Sequence, residues 1–399
     1  MLRLIIVGGG FGGLALAKQL RSRSDVQITL LTERHDFRYC PALYRTATGF
    51  TMRASSIPIK DITKPLKNVE VIYGRAKHID MNKHILTTGS GKSLHYDKVV
   101  LALGSVPDYF DTPGIKQNAF SVTSPDEILD LRKHLHDFMT TAHNSEHSYV
   151  VIGAGATGVE VSAGLASYVQ KIAKKHKIKH PKVQIDLVDR SDKPLPNLPV
   201  STSKHARLRL KRLGIRFWPK TNVKKETSKQ LVTDKHLFDT NTAVWCAGAK
   251  LPSFYRQNNQ WFGISKRGKI LVDNYLKVHP DVFVIGDNAD TANSGYAQTA
   301  VHDAGYVASQ LQRQLKGKKL KKYKPRSPIV VVPVGNKWAL LHYRGYSLRG
   351  ITASVIRDLA DLFGYLDIMQ PKKAIKIWRA RNDTEEYCAI CLNNKTLKR

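Results

Sequence analysis

Cysteine is scarce in this chain of 399 residues, which contains only Cys40, Cys246, Cys388 and Cys391. Four cysteines in a chain of this size do not make a disulfide framework, and they fit a reducing compartment. The last two form a Cys-X-X-Cys pair near the end of the sequence, where no second pair completes a zinc site. We therefore predict no bound metal and interpret this pair as two ordinary thiols.

Long apolar segments are also lacking. The sequence has no uncharged apolar run of about 18 residues, which argues against a membrane-spanning helix. Its apolar beginning, Met1 to Val7, leads directly into a glycine loop, so we interpret it as a strand and not as a signal peptide. These absences favour a protein on the cytoplasmic side that is attached to a membrane peripherally, if at all.

Acidic residues are few, because 32 Asp and Glu stand against 64 Lys and Arg and leave a net charge of +32. Such a charge attracts nucleic acid, anionic lipid and polyanionic ligands, and charge alone selects none of them. The basic runs lack interleaved aromatic residues, so we predict no specific nucleic-acid partner. The length exceeds the roughly 250–300 residues at which a single core stops growing, so two or more domains are expected.

What the sequence does have is a glycine-rich loop directly after its first predicted strand. Gly8, Gly10 and Gly13 occupy the three glycine places of a GxGxxG motif. In such a unit the first glycine makes a tight turn, the second lets the backbone approach a pyrophosphate, and the third lets helix and strand pack closely. Glu33 ends the next predicted strand, where an acid binds a ribose hydroxyl. The sequence therefore predicts a dinucleotide site here.

The same motif occurs a second time, at Gly153, Gly155 and Gly158. A strand is predicted before it, a helix through Tyr168 after it, and Asp189 ends the following strand. An acid at this place favours NADH, because it would repel the 2′-phosphate of NADPH, although Arg190 lies beside it. Two dinucleotides indicate electron transfer between them, since a flavin accepts a hydride from NADH when the rings stack. We predict FAD on the first unit and NADH on the second.

Further motifs resemble those of one family. Cys40-Pro41-Ala42-Leu43-Tyr44 follows the first acid, and Ala47-Thr48-Gly49 comes soon after it. Val244-Trp245-Cys246-Ala247-Gly248 resembles the strand that links the domains, and Val282 to Asp287 resembles the second FAD motif. Over residues 2–324 the chain is similar to the two-dinucleotide-binding flavoproteins, and most similar to type II NADH dehydrogenases, the non-pumping NADH:quinone oxidoreductases.

The resemblance implies roles for individual residues. Glu160 is expected near the nicotinamide, and Asp287 is expected to hydrogen-bond the ribityl or pyrophosphate part of FAD. Ala297-Gln298-Thr299-Ala300 resembles the segment beside the flavin where quinone reducers bind their acceptor. The family usually has a second Gln four residues after Gln298, whereas this chain has His302. We hypothesise that His302 hydrogen-bonds or protonates the reduced quinone; the alternative is a packed or solvated helix histidine.

The complete prediction of cofactor contacts follows from the loops and from this resemblance. The FAD-binding residues are Gly8, Gly10, Gly12, Gly13, Glu33, Ala76, Gly104, Asp287 and Gln298. The NADH-binding residues are Gly153, Gly155, Gly158, Glu160, Asp189 and Gly248.

The expected fold is α/β, with two Rossmann-type dinucleotide-binding domains arranged as in a glutathione-reductase-like flavoprotein and a C-terminal α+β extension. The predicted divisions are residues 1–113 and 242–325 for the two parts of the FAD-binding domain, 114–241 for the NADH-binding domain, and 326–399 for a C-terminal region that contacts a membrane or forms a dimer.

The C-terminal region contains a predicted amphipathic helix. Its apolar positions are Ile351, Val355, Leu359, Leu362, Phe363 and Leu366. The simplest expectation is that this face is buried, while Arg357, Asp358 and Asp361 face elsewhere. In the family this region forms a membrane-seated surface, and the aromatic and basic side chains here fit a patch on anionic lipid: Tyr343, Tyr346, Trp378, Arg344, Arg349, Lys372, Lys373, Lys376 and Arg379. A dimer surface is the alternative.

Other flavoprotein classes are disfavoured by the positions of the cysteines. Disulfide reductases and sulfide:quinone reductases of this fold need a cysteine pair facing the flavin, and this chain offers only Cys40 in the first region and Cys246 alone in its strand. Two alternatives to a quinone reductase stay open. One is an NAD(P)H-dependent reductase of a soluble, acidic electron-transfer protein, and the other is a redox-dependent binding flavoprotein with low turnover.

Overall fold

The computed structural model describes residues 1–141, 147–179 and 181–385. Cys388 and Cys391 lie outside these residues, so their interpretation stays a prediction. The helices of the described part are α1 (Phe11–Gln19), α2 (Cys40–Ala47), α3 (Ile59–Thr63), α4 (Ile115–Asn118), α5 (Pro125–Thr141), α6 (Ala156–Lys175), α7 (Val200–Arg212), α8 (Ser253–Gln257), α9 (Ala297–Leu315), α10 (Ile351–Ile368) and α11 (Pro371–Ala380). Short 3-10 turns occupy Met52–Ala54, Asn259–Trp261 and Gly286–Asn288.

The first sheet has six strands. In spatial order they are Lys277–His279, Val282–Val284, Lys98–Leu101, Leu2–Val7, Val26–Thr32 and Val69–Tyr73. All pairings are parallel except that of Lys277–His279 with its neighbour. The central strands are runs of buried Leu, Ile and Val, as expected for a parallel sheet that is covered on both faces. The late strand Val282–Val284 thus joins the sheet that begins the chain.

The second sheet has five parallel strands. Their order is Phe120–Ser121, Thr242–Trp245, His147–Ile152, Val183–Val188 and Ile215–Trp218. Thr242–Trp245 therefore belongs to this sheet, and the predicted division between residues 241 and 242 falls one strand too early. All four of its residues are buried, and such a strand suits the middle of either sheet, so its pattern could not tell them apart.

The helix after the second loop is longer than predicted. It was expected through Tyr168, but α6 continues to Lys175. Val169, Ile172 and Ala173 keep the spacing of a buried face beyond Tyr168, while Lys171, Lys174 and Lys175 are exposed.

Among the described residues, five smaller antiparallel sheets accompany the two large ones. Ala76–Asp80, Ile85–Thr88 and Ser93–His95 form one, and Val223–Glu226, Gln230–Thr233 and Leu237–Asp239 form another. Two pairs are Asp36–Arg38 with Ser56–Pro58 and Val106–Pro107 with Ala249–Lys250. The C-terminal region contributes Val330–Pro333, Ala339–Tyr343 and Tyr346–Gly350, followed by α10 and α11.

Helix α10 exposes most of the apolar positions that were expected to be buried. Ile351, Val355, Leu359 and Phe363 are 69%, 53%, 45% and 63% exposed, respectively, while Asp361 on the polar side is buried. The expectation of a buried apolar face is therefore wrong at these four positions, whereas Leu362 and Leu366 are half-buried and Leu366 packs against the core beside the first sheet. The reason is that Asp361 and its polar neighbours find charged partners on the protein side. Within the described residues, no helix combines the length and the apolar character that spanning a membrane requires.

The two large sheets are joined through α2 and α6. A Cβ atom placed on Gly164 of α6 would lie 2.8 Å from the Thr48 side chain, and one on Gly49 would lie 2.5 Å from the Tyr168 ring. Gly49 also has a positive φ of 97°. These glycines are needed because only a residue without a side chain lets the two segments approach so closely.

Candidate functional site

Both glycine loops have the packing that the motif requires. A Cβ atom on Gly13 would lie 1.9 Å from the Gly8 carbonyl oxygen, and one on Gly158 would lie 1.7 Å from that of Gly153. Gly8 and Gly153 have positive φ angles of 115° and 102°. The first and third glycines of each loop are therefore required by the protein itself, because any side chain would collide with backbone.

The middle glycines behave differently. A Cβ atom on Gly10 or Gly155 would find no other atom of the described chain within 4 Å. Each of these residues precedes the first turn of a helix, α1 or α6, and in neither first turn does a described acidic or capping side chain cover the N–H groups. Open space beside free helix N–H donors fits the pyrophosphate of a dinucleotide. Both loops thus fit such a cofactor.

The two ribose-binding candidates are held in different ways. Glu33 is exposed, and its carboxylate lies 3.6 Å from the Arg75 guanidinium. Asp189 instead accepts hydrogen bonds from the backbone N–H groups of Ala154, at 2.5 Å, and Ser191, at 2.6 Å. Arg190 is turned toward Phe110, with 5.5 Å between its guanidinium and the ring centre. The second acid is therefore fixed by its own loop.

A second group of predicted FAD-binding residues surrounds the turn after Val282–Val284. The Asp287 carboxylate accepts a hydrogen bond from the Ser105 hydroxyl at 3.0 Å, and the Asn288 amide donates to the Gly104 carbonyl at 2.6 Å. Lys269 donates to the Asp287 carbonyl. The structure thus brings Gly104 and Asp287 together beside the first sheet.

The remaining predicted cofactor residues have mainly packing contacts. A Cβ atom on Gly12 would lie 3.1 Å from Ile285, which places α1 against the same turn. Ala76 is buried next to Arg75, the partner of Glu33. A Cβ atom on Gly248, whose φ is +71°, would lie 2.5 Å from the Asp108 carbonyl. Their contacts with cofactor stay predictions.

Glu160 lies in a buried charged cluster. Its carboxylate is 3.4 Å from the Arg357 guanidinium of α10, and Arg357 is 3.2 Å from Asp361 in the next turn. Arg357 also donates to the carbonyls of Pro41 and Val331. Burial raises the pKa of Glu160 to about 7, and Arg357 acts in the opposite direction. Helix α10 therefore supplies the cation that faces Glu160, the residue predicted to lie near the nicotinamide.

The predicted acceptor residues contact the segment that enters the C-terminal region. The Gln298 amide exchanges two hydrogen bonds with the backbone of Ile329, both at 3.0 Å. Arg357, the partner of Glu160, donates to the Val331 carbonyl, two residues after Ile329. Glu160 and Gln298 are therefore both connected to the same short segment of the chain. The His302 imidazole binds the Lys324 carbonyl at 2.9 Å, so one ring nitrogen is already engaged with the protein. Its role toward a quinone stays a hypothesis.

The two described cysteines are not bonded to each other. Cys40 is exposed, whereas Cys246 is half-buried. Burial, followed by the Glu160 charge, raises the pKa of the Cys246 thiol to about 12. A redox cysteine needs a stabilised thiolate, so the environment of Cys246 does not fit a dithiol reductase.

Sequence reasoning missed Arg357, Asp361 and Asn288. Asn288 directly follows the predicted Asp287, and a second polar residue at the turn was the available signal. Arg357 and Asp361 stand one helical turn apart, which indicated a paired polar face. No local signal showed that this face would reach a glutamate 197 residues away.

Two loops that each fit a dinucleotide, with a buried charged cluster beside the second, define a two-dinucleotide oxidoreductase. A family model described as pyridine nucleotide-disulphide oxidoreductase matches residues 2–304. The chain belongs to this family. Membership confirms the predicted fold class and the predicted cofactor pair, FAD with a nicotinamide dinucleotide.

Among characterised relatives, the chain is 29% identical over 341 residues to the type II NADH:quinone oxidoreductase Ndh of Mycobacterium tuberculosis, covering 79% of this chain and 73% of the relative. It is 25% identical over 383 residues to the type II NADH:quinone oxidoreductase of Staphylococcus aureus, covering 90% and 94%. The solved structure of NDH2 from Plasmodium falciparum in complex with NADH shares the fold, with a TM-score of 0.86 at 15% identity and coverage of 95% and 97%.

Proposed function

We propose that this chain is a type II NADH:quinone oxidoreductase. Bound FAD would supply the redox chemistry, accepting a hydride from NADH and passing two electrons to a quinone. The relatives that match most of the chain carry this activity in their names, and both glycine loops have the open middle position that a dinucleotide needs.

The observation that carries the proposal is the Glu160–Arg357 pair. Glu160 stands two residues after the third glycine of the NADH loop, and Arg357 joins it to the segment that also binds Gln298. With a pKa of about 7, Glu160 can hold or release a proton at neutral pH. Reduction of a quinone by NADH consumes one proton from the medium, so such a group suits this reaction.

The other residues have binding roles in this proposal. Gly10 and Gly155 admit the two pyrophosphates, Asp287 and Glu33 hold FAD, and Asp189 holds the NADH ribose. Gln298, near the start of α9, lies at the acceptor side.

We further propose that the acceptor side rests peripherally on an anionic membrane surface, at its cytoplasmic face. The exposed stripe of α10, Ile351, Val355, Leu359 and Phe363, is an apolar surface without a described cover. Tyr346, in the preceding hairpin, is 80% exposed. Residues 304–357 contain twelve Lys and Arg and no Asp or Glu, so anionic lipid would meet attraction without local repulsion. A second copy of the chain is the other occupant that such a stripe suits.

The activity is tested by anaerobic stopped-flow absorbance of the purified protein, mixed with NADH and then with a short-chain quinone. Bleaching of the flavin by NADH and rapid return with quinone is the expected result. Bleaching without return would indicate that the acceptor is a soluble electron-transfer protein, or that the chain is a redox-dependent binding flavoprotein with low turnover. A protein without a flavin band would contradict the proposal outright.

The membrane surface is tested by sedimentation with anionic and with zwitterionic vesicles. Leu359→Ser should weaken binding to anionic vesicles about fivefold, because roughly 1 kcal/mol of apolar contact is lost. Leu237→Ser is a matched control, since Leu237 is 58% exposed on the second unit. Equal binding by both variants would show that α10 is not part of the membrane-binding surface. A change in oligomeric state with Leu359→Ser alone would show that the stripe forms a dimer contact.

A further inference from the structure

The lysine-rich segment of residues 316–324, here called the lysine strap, is tied along helix α9. A run of like charges is ordinarily loosely held, because its members repel one another. Here Arg313 donates to the Lys319 carbonyl at 2.6 Å, and Tyr306 donates to the Lys321 carbonyl at 2.7 Å. The Lys321 N–H in turn donates to Gln310 at 2.9 Å. The strap therefore has a fixed backbone under exposed lysines.

Tyr323 is the residue of the strap that points inward. Its N–H donates to the Asn274 carbonyl at 2.7 Å, and its hydroxyl donates to the Asp303 carboxylate at 2.6 Å. Asp303 is completely buried in α9. Its other oxygen accepts the Gly286 N–H at 2.9 Å. One carboxylate thus links the strap to the first sheet.

Gly286 begins the turn that carries the predicted FAD contacts. Its φ is +69°, which favours glycine, and the next two residues are Asp287 and Asn288. Asp287 accepts from Ser105, and Asn288 donates to Gly104, as described above. The direction of the Gly286 N–H therefore helps to set the position of the whole turn.

We propose that Asp303 and Tyr323 are positioning residues for FAD, which hold the Gly286–Asn288 turn and couple the order of the lysine strap to FAD binding. The inference rests on the proposed function only in that the first unit binds FAD. Coupling between two sites is reciprocal, so FAD should stabilise the strap as much as the strap stabilises bound FAD.

The first test measures the rate of FAD release from the holoenzyme, followed by flavin fluorescence after dilution. Tyr323→Phe should release FAD about tenfold faster, because a hydrogen bond to a buried carboxylate is lost. Tyr306→Phe is the matched control, since it removes a tyrosine contact with the same strap but none with Asp303. We expect a change of less than about twofold for this control.

The second test measures trypsin cleavage within residues 316–324, with cleavage after Lys224 and Lys225 in the second unit as an internal reference. Excess FAD should slow cleavage of the strap in the wild type and should have no such effect in Tyr323→Phe. Equal FAD release from the two tyrosine variants would overturn the proposal, and so would strap cleavage that ignores FAD in the wild type. A holoenzyme that fails only to reduce quinone would contradict the proposed function and leave this result valid.

Discussion

The first and second glycine loops can be compared residue by residue, because each follows the central strand of a parallel sheet. In both loops, a Cβ atom on the third glycine would lie within 2 Å of the first glycine's carbonyl oxygen. A Cβ atom on the middle glycine would find no other described atom within 4 Å. The acids differ. Asp189 is fixed by two backbone N–H groups, whereas Glu33 is exposed and lies 3.6 Å from the Arg75 guanidinium.

This difference fits the two ligands proposed for the loops. NADH enters and leaves in every turnover, so a ribose acceptor that is already in place saves ordering at each binding event. A second difference lies two residues after the third glycine, where the first unit has the buried Ala15 and the second has Glu160. The second unit alone thus carries a titratable group at this place.

The largest expected effect is a difference in stability between substitutions of the third glycine and of the middle glycine of the first loop. Gly13→Ala places a Cβ atom 1.9 Å from the Gly8 carbonyl, so we expect a loss of about 3 kcal/mol in the free energy of unfolding and a protein with little flavin. Gly10→Ala has open space, so its apoprotein should keep the wild-type melting temperature while its FAD affinity falls. Thermal denaturation and flavin absorbance per chain measure both. Equal destabilisation by the two variants would contradict the conclusion that the third glycine, and not the middle one, is required by packing.

The next effect concerns the charge of Glu160. Arg357→Gln removes the cation that opposes the effect of burial, so the pKa of Glu160 should rise from about 7 by one unit or more. We expect the pH profile for flavin reduction by NADH to move upward and its rate to fall about tenfold. Arg357→Lys should restore part of the profile. A profile that is unchanged in Arg357→Gln would show that Glu160 does not titrate in this step.

A smaller effect should distinguish the two acids. Asp189→Asn replaces an acceptor that faces two N–H groups, so it should raise the dissociation constant for NADH about tenfold and reduce discrimination against NADPH. Glu33→Gln, at an exposed position, should change FAD affinity by no more than about threefold. Titrations with both nucleotides give these values. A larger effect at Glu33 would reverse the comparison.

The last expected effect is on stability alone and does not involve a cofactor. Burial raises the pKa of Glu226, in the second unit, to about 8, and one carboxyl oxygen has no partner among the described residues. Because the folded pKa lies above the unfolded value of about 4.3, the wild type should lose stability as the pH rises from about 4.3 to 8. Glu226→Gln should therefore be more stable by about 1–2 kcal/mol at pH 8 and unchanged near pH 4. Glu70→Gln, at an exposed site of the first unit, is the control, and a gain that does not depend on pH would contradict this account.

The loops and central strands could be predicted from the sequence because their signals are local. Gly13 and Gly158 are required by contacts with the glycine five residues before them, and buried runs of Ile and Val mark the strands around the loops. The strand Thr242–Trp245 was assigned to the wrong sheet, because both sheets need the same kind of buried strand.

The C-terminal region could not be predicted in the same way. Apolar residues at helical spacing identified α10, but its direction depends on Glu160, Pro41 and Val331, which lie far away in the sequence. An amphipathic pattern gives a helix two faces, and only the tertiary partners decide which face is covered.

The most direct test of two dinucleotide sites acting in series is anaerobic stopped-flow absorbance of Gly155→Ala, in which only the pyrophosphate position of the second loop is changed. We predict wild-type flavin content, flavin reduction by NADH slowed at least about tenfold, and normal reoxidation by quinone after chemical reduction with dithionite. Normal reduction by NADH, or an equal loss in both half-reactions, would contradict the account.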